Sequence, residues 1–174
     1  MKNVFSSGVL RLLFPVLLTT AGLMTTACKK DDSTTTTTTD YAPIDNAIIQ
    51  KYLTDNAITT AQKQASGLYY LPVVSNPTGT RAVAGKLVYV LYTGRLMDGT
   101  VFDASSMHNN VPISFVLGQG RVIAGWDEGI ALMHEGEKAQ LLIPSALAYG
   151  ASGSGTTIPA NSVLRFEVEL VAVR

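Results

Sequence analysis

Gly118–Ile130, GQGRVIAGWDEGI, decides the fold and holds the one tryptophan of the chain, Trp126. Val122, Ile123, Trp126 and Ile130 fall at i, i+1, i+4 and i+8, one face of a short helix, with Asp127 and Glu128 on the other side. Gly118, Gly120, Gly125 and Gly129 crowd the same stretch. A glycine inside a helix costs roughly 1 kcal/mol against alanine, so this density predicts that something packs or binds close to the backbone. So short a helix cannot form a core alone, and the segments on both sides are strand-like and rich in aromatics. The pattern predicts a sheet wrapped around one helix, with Trp126 flooring a cavity.

C-terminal to this segment, Glu137–Ile143 reads as a strand stopped by Pro144, and Val163–Val173 alternates in period two. Between them Ala148–Asn161, rich in Gly and Ser, is a loop of functional length. On the N-terminal side Ile113–Leu117 is a short strand and Lys86–Arg95, KLVYVLYTGR, a strongly β-prone one. Met97-Asp98-Gly99-Thr100 is a hairpin-type turn leading into Val101-Phe102-Asp103. Gly67–Ser75 is a further strand, followed by turn chemistry at Asn76-Pro77-Thr78-Gly79. The sum is α+β: five or six strands, mostly antiparallel, and two helices. The second helix is Ile44–Asn56, where Ile44, Ile48, Ile49, Tyr52 and Leu53 share a face and Asp45 is placed to cap the start. A docked structural helix is expected rather than a dimerisation helix, and the chain is expected to be a monomer.

The N-terminus belongs to no fold. Lys2 and Arg11 precede an apolar run through Leu12, Leu13, Phe14, Val16, Leu17, Leu18 and Leu23, short for a membrane span and broken by Pro15, Thr19 and Thr20. It reads as a secretory signal peptide. Small residues immediately before the single cysteine, in Met24-Thr25-Thr26-Ala27-Cys28, resemble a bacterial lipoprotein cleavage site, with Thr25 where that pattern usually has Leu. The resemblance implies that Cys28 carries the lipid and that the protein sits in the cell envelope, most readily at the outer membrane. Lys29-Lys30-Asp31-Asp32 is similar to a short charged tag that sends some lipoproteins to the cell surface. Ser33–Thr39, one serine and six threonines, has nothing to bury and reads as a tether. The expected organisation is a signal peptide over 1–27, an anchored tether over 28–43, a helix and linker over 44–66, and a globular domain over 67–174.

Without residues 1–27 the chain carries 11 basic and 13 acidic side chains, a balance with no electrostatic reason to bind nucleic acid. A lone cysteine makes no intrachain disulfide, and with only His108 and His134 it cannot complete a closed His/Cys metal site. Phosphate-loop, nucleophile-elbow and zinc-protease strings are missing from the sequence.

From about Gly67 to the end, the chain resembles the FKBP-type peptidyl-prolyl isomerases, the macrolide-binding immunophilins. The strings are Tyr92-Thr93-Gly94, Asp98-Gly99-Thr100-Val101-Phe102-Asp103, Val122-Ile123-Ala124-Gly125-Trp126-Asp127-Glu128-Gly129, Ala148-Tyr149-Gly150, Ile158-Pro159 and Phe166-Glu167-Val168-Glu169-Leu170. The resemblance implies a twisted antiparallel sheet curled over one helix, with a ligand cavity between them. It assigns the aromatic cavity to Tyr92, Phe102, Trp126, Tyr149 and Phe166, and the acidic residue beside it to Asp103. Val122, Ile123 and Ile113 take the apolar wall, the Ile123 N–H and the Tyr149 hydroxyl would bond carbonyls of the bound peptide, and Ile158 and Phe115 align with further wall or core positions, Ile158 counted with the substrate-binding residues.

Three departures stand out. Ile113 replaces a common Phe, Ser154 and Thr157 replace an imidazole and an apolar side chain, and His108 is the nearest counterpart of a common arginine. His108 is expected to be a solvated loop residue, which leaves Asp103 without an assigned partner. The implied chemistry needs no cofactor: an Xaa-Pro bond has a barrier near 20 kcal/mol because twisting breaks amide resonance. The twisted amide is less charge-separated than the planar one, so an apolar pocket favours it. Implied partners are proline-containing polypeptides and rapamycin-type macrolides, with the membrane reached through the lipid. The competing reading is a catalytically weak module that holds proline segments as a chaperone or adhesin.

Overall fold

A computed structural model describes residues 39–174; the expected signal peptide, Cys28, the charged stretch Lys29–Asp32 and most of the threonine tract lie outside the described residues. Helix α1 (Ala42–Asp55) precedes strands β1 (Gln62–Lys63), β2 (Tyr69–Val74), β3 (Leu87–Leu96), β4 (Val101–Ala104) and β5 (Ile113–Val116). Helix α2 (Ala124–Ile130) and strands β6 (Lys138–Ile143) and β7 (Leu164–Val173) complete the chain. All strands pair antiparallel in one sheet of order β1-β2-β6-β7-β3-β4. The free edge of β3 is shared: β5 lies along Leu87–Val90 and β4 along Thr93–Arg95. The strand beyond the expected five or six is β1, two exposed polar residues too short to leave a period in the sequence.

The glycines of α2 report the packing they predict. A Cβ on Gly125 would overlap Ile143, and one on Gly129 would lie 2.7 Å from Leu141, so α2 sits directly on β6. Trp126, Ile130, Met133, Leu141, Ile143 and Leu170 form the centre of the main core. Alternation along the strands sends the neighbouring side chains to the opposite face, where Tyr69, Leu71, Leu142 and Val163 meet Ile49 and Leu53 of α1. The sheet therefore carries a helix on each face. Burial of Ile49 and Leu53 stabilises this second layer by about 1.5–3 kcal/mol each.

Two expectations about α1 are corrected. Asp45 does not cap the helix: Tyr41 is the N-cap, with no side-chain cap, and Asp45 is itself buried. Its Oδ2 accepts hydrogen bonds from a residue a hundred positions later, Ser145. Ile44 and Ile48 stay exposed, so the buried stripe is Asp45, Ile49 and Leu53, at i, i+4 and i+8.

Candidate active site

Five elements converge on a cavity of about 200 Å³ between the sheet and α2. Tyr92 comes from β3, Phe102 and Asp103 from β4, Trp126 from α2 and Phe166 from β7. Ile113 of β5, Val122 and Ile123 before α2, Arg121 and Tyr149 complete the lining. Ile158 is not part of it: buried in the main core, it pairs with Ser154 across the loop. Phe115 is likewise core, 6.0 Å from Trp126 between ring centres.

The rings hold one another edge to face. Trp126 lies 5.1 Å from Tyr92 at 79° and 5.2 Å from Phe166 at 83°, while Phe102 meets Phe166 at 5.4 Å and 82°. Such pairs add about 0.5–1.5 kcal/mol each beyond burial and fix ring orientation. Gly94 makes room for the corner, because a Cβ there would stand 2.6 Å from the Phe102 ring and 2.8 Å from Phe166. Trp126 is 4% exposed, and its indole Nε1 has no hydrogen-bond partner among the described residues. Ile123 caps the helix with φ -59 and ψ 148, and its carbonyl accepts the Trp126 N–H at 2.9 Å. Its own N–H stands before the first turn of α2, outside the helical ladder.

The polar edge is a three-residue chain. Tyr92 Oη donates to Asp103 Oδ2 at 2.6 Å, and His108 Nε2 lies 2.8 Å from Asp103 Oδ1. An ionised carboxylate only accepts, so this contact requires a proton on Nε2. His108 is solvent-exposed as expected but not unpaired: the turn Ser105–His108, closed by Asn109 in the left-handed region at φ 56, folds the ring back onto Asp103. Asn tolerates that conformation because its short amide can bond locally. Partial burial pushes the Asp103 carboxyl up, but hydrogen bonds from Tyr92, His108 and the Ala104 N–H outweigh it and hold the group below the usual carboxylate range. Burial, then the hydrogen bond and charge of Asp103, push the Tyr92 phenol well above its ordinary value. Asp103 is therefore an anion and Tyr92 a neutral donor at neutral pH.

The family model described as FKBP-type peptidyl-prolyl cis-trans isomerase matches residues 79–171. The chain belongs to this family. It is 53% identical over 95 residues to an FK506-binding protein of Neisseria meningitidis serogroup C, spanning 55% of this chain and 86% of that one. FkpA of Aeromonas hydrophila is 47% identical over 125 residues, 71% of this chain but only 45% of that protein. Among solved structures, FkpA from Escherichia coli aligns with TM-score 0.65 and 36% identity over 76% of this chain and 61% of its own. AtFKBP13 aligns with TM-score 0.61 and 37% identity, over 67% of this chain and all of its own length.

Two supports of this isomerase's cavity escape sequence patterning. Ser105, 2% exposed, accepts the Tyr92 N–H on its Oγ at 3.0 Å and fixes the backbone behind the ring. Asp127, on the side of α2 away from its apolar face, accepts the N–H groups of Gly118 and Gly120 at 2.8 and 3.0 Å and ties the preceding loop to the helix. The only available signal was the Asp four residues into a Gly-flanked helix start. A larger groove of about 700 Å³ lies mainly on the α1 face, between Ile58, Leu71, Val73, Leu91, Lys138 and Glu167. Size does not make it the catalytic centre, since apart from Tyr92 none of the aromatic set lines it.

Proposed function

We propose that this chain isomerises Xaa-Pro bonds in exported polypeptides by enclosing the prolyl residue in the aromatic cavity. The observation that carries this reading is the convergence of Tyr92, Phe102, Trp126 and Phe166 on one small space whose lining holds two charged side chains, Asp103 and Arg121. A proline ring stacked over Trp126 exchanges water for the faces of Tyr92, Phe102 and Phe166. The twisted, less polar amide gains from that environment relative to the planar ground state, and binding that favours the barrier top is catalysis. The Tyr149 hydroxyl and the Ile123 N–H are the donors proposed for the flanking carbonyls. At about 200 Å³ the cavity is below the roughly 300–1,000 Å³ of drug-sized sites, so a macrolide would insert one ring and lay the rest of its body on the rim.

The test is cis/trans kinetics on a panel of Xaa-Pro peptides with a soluble chain beginning at Tyr41. Acceleration above buffer, competed by FK506 or rapamycin, is the expected result. A folded protein with no acceleration would leave only the chaperone or adhesin reading, which Ile113, 39% exposed on the cavity rim, favours by leaving one wall aliphatic. For location we propose a lipid on Cys28, with the threonine tract as tether, at the cell envelope, where slow proline steps limit folding for tens of seconds. Labelling cells with a fatty-acid analogue should mark the wild type and not Cys28→Ser; a signal independent of Cys28 refutes the anchor.

A further inference from the structure

Helix α1 lies across the sheet from the cavity, yet one of its carboxylates reaches the segment that carries Tyr149. Asp45 is 1% exposed, and its Oδ2 accepts from Ser145 N at 2.8 Å and Ser145 Oγ at 2.7 Å. Ser145, itself buried, opens the turn Ser145–Leu147, one residue (Pro144) after β6. Only Ala146, Leu147 and Ala148 separate it from Tyr149. That link is stiff: Leu147 N bonds Pro144 O at 2.9 Å, Ala148 N bonds Ser145 O at 3.0 Å, and both side chains pack on the main core.

A carboxylate is an expensive way to hold a helix on a sheet. Burying one costs free energy that only hydrogen bonds offset, and Asp45 Oδ1 has no partner among the described residues. Ile49 and Leu53 already supply the apolar contact. What the carboxylate satisfies is Ser145, whose buried N–H and hydroxyl would otherwise lack an acceptor.

We propose that Asp45 is a positioning residue for the isomerase: from α1 it pins Ser145 and thereby sets the backbone from which Tyr149 reaches the cavity. This rests on the reading of Tyr149 as cavity wall. It makes α1 part of the catalytic unit and not merely a spacer beyond the tether.

The test is a double-mutant cycle in the full chain, with kcat/KM measured on one Xaa-Pro peptide for Asp45→Ala, Tyr149→Phe and the pair. Asp45→Ala is expected to lose about fivefold, and Asp45→Asn, which keeps an acceptor for Ser145, to stay within about twofold of wild type. Tyr149→Phe is expected to lose severalfold, and the pair no more than the worse single variant, because both changes act through one hydroxyl. A folded Asp45→Ala at the wild-type rate, or losses that multiply in the pair, overturns the proposal and leaves the Tyr149 reading intact. A silent Tyr149→Phe overturns both. Should Asp45→Ala fail to fold, Ser145→Ala takes its place with an expected twofold loss under the same criteria.

Discussion

Gly94→Ala should lower kcat/KM for Xaa-Pro isomerisation at least about tenfold and destabilise the domain by about 2 kcal/mol, within the usual range for overpacking. The added methyl would meet Phe102 ring carbons at 2.6 and 2.7 Å and Phe166 at 2.8 Å. Real Cβ atoms do not approach that closely, so something must move. The backbone has little freedom to retreat, because Gly94 is in register with Asp103 on one side and Phe166 on the other. The rings must yield, and the open space beside them is the cavity of about 200 Å³. Peptide kinetics and thermal unfolding on the same preparation check both effects. A folded Gly94→Ala at the wild-type rate would show that the rings have room the geometry does not give them.

Phe166→Ala strikes the same corner with the opposite sign of volume. Phe166 is 4% exposed and contacts Trp126, Phe102 and Tyr92, with ring centres 5.2, 5.4 and 6.4 Å away. Truncating a buried phenylalanine costs about 3–5 kcal/mol, from lost transfer energy and the void left behind. For a domain of this size that lowers the unfolding midpoint by roughly 10–20 °C. Trp126 and Phe102 then lose the edge that orients them, so the rate should fall with stability even well below the midpoint. Stability lost with kinetics unchanged would make Phe166 a core residue and nothing more.

The Trp126 segment made the cavity legible because its glycines and aromatics are constraints that act locally. Gly125 and Gly129 announce a close approach in the sequence, and Ile143 and Leu141 supply it. Asp45 was not legible. Polar residues at a helix start read as caps, whereas this carboxylate answers a buried serine a hundred residues away. The pairing of His108, which stays exposed, was hidden for a related reason. Its contact with Asp103 depends on a turn and a left-handed Asn109, and no periodicity encodes either. Ile158 went to the core because the Ser154–Ile158 bridge folds the loop inward, a pairing that a Gly-rich stretch does not signal. Periodic patterns reveal faces; contacts made by turns and by distant polar pairs stay hidden until the chain is folded.

The central claim is that rate comes from a shaped, water-poor pocket and not from a chemically reacting group. Trp126→Leu tests it most directly, since leucine keeps the floor apolar while changing its contour. The isomerisation rate of this variant, measured on a protein shown by circular dichroism to be folded, should fall about tenfold, which is about 1.4 kcal/mol of barrier. A loss of a thousandfold or more with the fold intact would contradict the account, because no change of contour alone removes so much.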